Sequence, residues 1–228
     1  MKNNERNLSM KKLAMAVGAV MLAGGMGALA QDGVAKTAPD DVATLVQAVS
    51  PTDVQALSAF FAPVAAKYGA AYAKFVGDFQ LAKDKVAVVA GFLPTAADIM
   101  KAAKAMPVAA EQQAKKDELM AGMERFMARL KESAAASFVG SAKTAWAQAK
   151  GGFFAPIAAK YDAKVQAFFK EFESAEVKSA CVAKVVPTVE AILKDAKEAK
   201  VEAGAEAEKQ AYVKAIEKSL GVMKAISK

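Results

Sequence analysis

Cys181 is the chain's one cysteine, and no histidine stands anywhere to activate it. A thiolate nucleophile is normally generated by a neighbouring imidazole or another cationic group. The missing histidine also removes the commonest general base and the commonest metal ligand, along with Ser/His pairs and the Glu-x-x-His pairs of di-iron bundles. Cys181 occupies the place that Val88 holds in an internal repeat, so its spacing predicts a small buried apolar role. Met120, Met123 and Met127 fall on one helix face and could offer thioethers to Cu(I). Phe126 and Leu130 continue that face, and the second copy of the repeat places Val213, Ile216 and Leu220 there, which is the pattern of a packed seam.

Among the acidic residues, Glu171, Glu173 and Glu176 cluster, but Asp78, Gln80 and Lys83 stand at the matching positions of the first copy. A shared catalytic carboxylate pair is therefore not expected. Lys194, Lys197 and Lys200 recur at helical spacing and form the candidate interaction surface, with a solvated face paired to Glu190 and Glu198 as the plainer alternative. No Gly-rich phosphate loop, calcium loop or haem-attachment motif appears. The expectation is a non-catalytic protein without cofactor or metal.

The elements that must position these residues come from a duplication. Shifted by about 93 residues, Phe60-Phe61-Ala62-Pro63-Val64-Ala65-Ala66-Lys67-Tyr68 lies on Phe153-Phe154-Ala155-Pro156-Ile157-Ala158-Ala159-Lys160-Tyr161. The match continues without a gap through Phe75 and Phe168, Phe79 and Phe172, Lys85 and Lys178, Pro94 and Pro187, and Ile99 and Ile192. From 60 to 104, 22 of 45 positions are identical, far above what an Ala- and Lys-rich composition gives by chance. Phe61, Tyr68, Phe75, Ala82 and Val89 form one heptad row, and Ala65, Tyr72, Phe79, Val86 and Leu93 form its neighbour.

The rows predict one helix over 62–93, about 46 Å long, with Pro63 in its first turn and Pro94 at its end or at the start of the next helix. An earlier helix with a break at Ser50-Pro51-Thr52-Asp53, a shorter helix over 95–106, and a helix that begins after Pro107 complete the unit. That last helix can run through the repeat boundary to Gly151-Gly152. From Lys194 to Lys209 the chain has little to bury, which predicts a solvated or fraying helix. The expected fold is all-α: an elongated antiparallel helical bundle of two tandem repeats with long heptad-patterned helices. The repeats are placed at 40–132 and 133–228, after a linker over 31–39.

Residues 1–30 read as a secretory signal peptide, with Lys11 and Lys12 before an apolar run from Leu13 to Leu22 and a close at Ala28-Leu29-Ala30. That run is about half a bilayer span, so no integral membrane anchor is expected and the protein should be exported and soluble, in the periplasm or outside the cell. Export argues against nucleic acid as the partner even though the chain carries a formal charge of +7. The leading expectation is a structural or macromolecule-interaction module with an unidentified protein partner. A carrier or holdase for apolar ligands or unfolded chains is the second reading, and weak attachment to anionic lipid or polysaccharide through the basic second half is the third.

Overall fold

A computed structural model describes Leu45 and residues 58–228. The expected signal peptide, the linker and the break at Ser50-Pro51-Thr52-Asp53 lie outside the described residues. Those that are described form an all-helical protein, with no strand among them. In chain order the helices are α1 (Ala62–Leu81), α2 (Lys85–Ala105), α3 (Gln113–Gln148), α4 (Ala155–Ser174), α5 (Lys178–Glu198) and α6 (Glu206–Ile226).

The heptad rows do not lie on one helix. The chain leaves α1 at Leu81, and Ala82 is extended while its N–H still reaches the Asp78 carbonyl at 2.9 Å. Asp84 then starts a new helix by accepting from the Ala87 N–H at 3.0 Å, which satisfies one of the donors a helix start leaves open. Lys85 locks the turn: its Nζ donates to the Phe79 carbonyl at 2.7 Å and sits 4.5 Å from the centre of the Phe79 ring. The result is α1, 20 residues and about 30 Å long, followed by α2. Pro94 falls inside α2 rather than at an end, and Pro187 falls inside α5. Each proline removes one backbone donor from its helix, and both residues are exposed.

The same break recurs between α4 and α5. Lys178 donates to the Phe172 carbonyl at 3.0 Å and lies 4.8 Å from the Phe172 ring. Here, however, Val177 stands where Asp84 stood, and it makes no side-chain cap. Glu132 on α3 supplies the cap instead, accepting from the Lys178 N–H at 2.6 Å and from the Ser179 N–H at 3.0 Å. A charged acceptor on two helix-start donors is a strong form of this bond.

A second corner follows α2 and α5. The buried Lys116 donates to the carbonyls of Lys104 and Met106 at 2.7 and 2.6 Å. Lys209 donates to the Ala199 carbonyl at 2.8 Å. Both lysines collect the orphan carbonyls of a helix end. The expected solvated or fraying helix over 194–209 is not continuous: α5 stops at Glu198, a 3-10 turn spans Ala203–Ala205, and α6 begins at Glu206.

The chain divides into two compact units, Met1–Leu130 and Lys131–Lys228, with the division inside α3. In the first, the Phe75 and Phe92 rings stack at 4.3 Å and Tyr72 meets Phe92 edge-on at 5.9 Å, joining α1 to α2. Each buried aromatic of this kind stabilises the core by about 2–3 kcal/mol relative to exposure. By length and composition α2 could cross a membrane, though Val89, Phe92, Leu93, Ala96 and Ile99 on it are buried in the unit. In the second unit, α4 packs on α5 and α5 on α6 around Phe168, Phe172, Val182, Ile192 and Met223.

Candidate ligand pocket in the second unit

Three small side chains border a space among the helices of the second unit. Val165, Val185 and Ser219 stand where the first unit has the larger Tyr72, Phe92 and Phe126, all three of them buried. Other lining positions change the opposite way, from Asp53 to Trp146, Val76 to Phe169 and Leu119 to Tyr212, so the small residues shape one part of the wall while large aromatic rings build another. The space is an apolar, partly open pocket of about 210 Å³. α3 contributes Phe138, Ala142 and Trp146, α4 contributes Phe168 and Phe169, α5 contributes Val189 and Ile192, and α6 contributes Tyr212, Ile216 and Met223. One end is built of aromatic rings: Tyr212 stacks on Phe154 at 5.1 Å with the planes 8° apart, and Trp146 meets Phe154 edge-on at 6.4 Å. The hydroxyl of Ser219 is a rare polar group in an otherwise hydrocarbon lining.

Trp146 and Phe169 also line a second, more open space of about 440 Å³, whose character is the opposite. Lys143, Lys150 and Lys170 border it together with Glu173 and Gln166. Lys143 pairs with Glu173 at 2.5 Å and holds that carboxyl below the usual carboxylate range. Its Nζ also lies 5.6 Å from the Phe169 ring centre. Lys150 pairs with Asp162 at 3.0 Å, and Asp162 accepts as well from Trp146 Nε1 at 2.9 Å and from Gln166 at 3.2 Å. The Trp146 bond first, then Lys150 and Gln166, bring the Asp162 pKa down to about 2. The indole is thereby fixed with one edge on a carboxylate and its body in the wall of both spaces.

The residues singled out in the sequence lie elsewhere. Cys181 is buried on α5, and burial pushes its thiol up, away from the thiolate needed for attack. Met120, Met123 and Met127 are all buried in the first unit's core. Glu171 pairs with Lys184 and Glu173 with Lys143, so the acidic cluster is dispersed into ion pairs. Lys194 and Lys197 lie on α5, whereas Lys200 falls beyond its end, and Lys197 pairs with Glu217 on α6 at 2.7 Å. Glu190 pairs with Lys224 at 2.7 Å rather than along its own helix. The three lysines thus do not form one helical stripe. Among the described residues no group of three or more Cys, Asp or Glu could hold a metal ion.

Sequence reasoning missed Trp146, Val165, Val185 and Ser219. Their signal was present as a difference between the copies: three large side chains in the first become three small ones in the second. No protein-family model, curated protein or solved structure matches the chain.

Proposed function

We propose that this is an exported, non-catalytic helical protein whose second unit binds a small apolar molecule. The observation that carries the reading is the apolar pocket of about 210 Å³ among α3, α4, α5 and α6. A dry cavity of about 150 Å³ lined by aliphatic and aromatic side chains accepts benzene, and drug-sized ligands occupy about 300–1,000 Å³. The pocket therefore suits one ring or a short alkyl chain. Its presence favours a carrier over a general interaction module.

The architecture we infer is two tandem antiparallel helical repeats. It is supported by element starts that recur at one interval: Ala62 and Ala155, Lys85 and Lys178, Gln113 and Glu206. The second repeat holds the apolar pocket among its helices. The signal-like first thirty residues support export, and the buried, unactivated Cys181 together with the missing histidine supports a non-catalytic role.

The chain's single tryptophan, Trp146, is a built-in reporter because it lines the pocket. Titration of the full chain with 1-octanol should shift its emission saturably and with one-site stoichiometry. A response that only rises linearly with octanol, as a solvent effect does, contradicts the reading.

A further inference from the structure

We propose that the ligand is a monoanionic amphiphile, an organic carboxylate carrying a short alkyl or single-ring tail, with its tail in the apolar pocket and its carboxylate among the lysines across Trp146 and Phe169. The inference rests on the ligand-binding reading and adds the chemistry of the head group. Two independent features point to it. The first is geometric: Trp146 and Phe169 line both the apolar space and the basic space, which places the two side by side.

The second is a charge count. Of the three lysines bordering the basic space, Lys143 is neutralised by Glu173 and Lys150 by Asp162. Lys170 makes no ion pair among the described residues. One exposed cation of the space is thus without an acidic partner. A carboxylate supplies one negative charge, whereas a phosphate monoester at neutral pH brings about 1.5–2 and would leave an excess.

Comparison of the two copies supports the same conclusion. The positions matching Lys143, Lys150 and Lys170 in the first copy are Ser50, Leu57 and Gly77, and the position matching Trp146 is Asp53. The copy that carries the apolar pocket thus gains three lysines and an indole beside it, together with two carboxylates, Asp162 and Glu173, in place of Gly69 and Gln80, which leaves one lysine in surplus over the new carboxylates. Either change alone could be drift in an exposed or tolerant position. Their occurrence side by side in one unit fits a single binding site with two chemically distinct ends.

The test compares octanoate with 1-octanol on the full chain at low ionic strength, following Trp146 emission and calorimetric heat. The proposal predicts that octanoate binds about three- to fivefold more tightly than octanol, the increment of one solvent-exposed ion pair. Lys170→Gln should bring octanoate to the affinity of octanol and leave octanol unchanged. Lys194→Gln, a lysine outside both spaces, should alter neither, and added salt should shrink the octanoate advantage alone. If both ligands bind equally well to the unaltered chain, or if the octanoate advantage survives Lys170→Gln, the head-group assignment is overturned while the apolar pocket stands. If neither ligand binds saturably, the ligand-binding reading itself falls.

Discussion

At the scale of single residues, the second unit is organised by carboxylates that each serve several donors. Asp162 gathers Trp146, Lys150 and Gln166, and Asp195 accepts from Lys160 at 2.6 Å and Tyr161 at 3.0 Å. Asp195 is held below the usual carboxylate range first by Lys160 and then by Tyr161. A carboxyl whose pKa is lower in the folded than in the unfolded chain stabilises the fold above its unfolded value, and that contribution fades as pH falls toward the folded value. For Asp162 the window runs from the ordinary 3.8 down to about 2. Urea unfolding followed at pH 5, 3 and 2 should show a decline in stability that is shallower in Asp162→Asn than in the unaltered chain. Trp146 emission should change over the same window only when Asp162 is present. Parallel declines in both proteins would mean that the Trp146 contact contributes nothing. None of this was legible from spacing, because Trp146 and Asp162 lie on different helices and nothing in either helix's own period pairs them.

Helix ends, more than helix faces, distinguish what the sequence reveals from what it conceals. The apolar faces were legible in part: Phe61, Tyr72, Phe75, Phe79, Val89 and Leu93 are buried, whereas Tyr68, Ala82 and Val86 of the same rows are only half-buried. The break at 82–84 was not, since the rows keep their register across it and Asp84 reads equally well as a surface residue of a continuous helix. The latching lysines Lys85 and Lys178 were visible only as matched positions of the repeat, and Lys116 and Lys209 passed unnoticed because a lysine on a polar face is the default expectation. Where Val177 replaces the capping Asp84, the distant Glu132 takes over two backbone donors of α5. Glu132→Ala should therefore destabilise the protein by about 1–2 kcal/mol in urea unfolding, with Glu132→Gln intermediate. Restoring the local cap by Val177→Asp in the Glu132→Ala background should recover part of the loss. An Ala variant as stable as the parent would show that water caps α5 well enough without Glu132.

On the scale of the whole molecule, the apolar pocket lies among the helices of the second unit. All-helical architecture followed from composition and period, because Ala, Lys and Glu dominate and no alternating apolar pattern exists. The pocket did not follow, because a cavity is a property of how four helices come together, and Val165, Val185 and Ser219 gain meaning only when set against Tyr72, Phe92 and Phe126 at the matching positions. That comparison also supplies the most direct measurement: octanol titration and urea unfolding of Val185→Phe and Ser219→Phe, each of which transplants the first unit's side chain into the second. Added bulk normally strains a well-packed core, but here it enters empty space. Both variants should keep their helical content, unfold at an equal or higher urea concentration, and lose the saturable Trp146 response. Folded variants that bind octanol as the parent does would contradict a ligand-binding second unit.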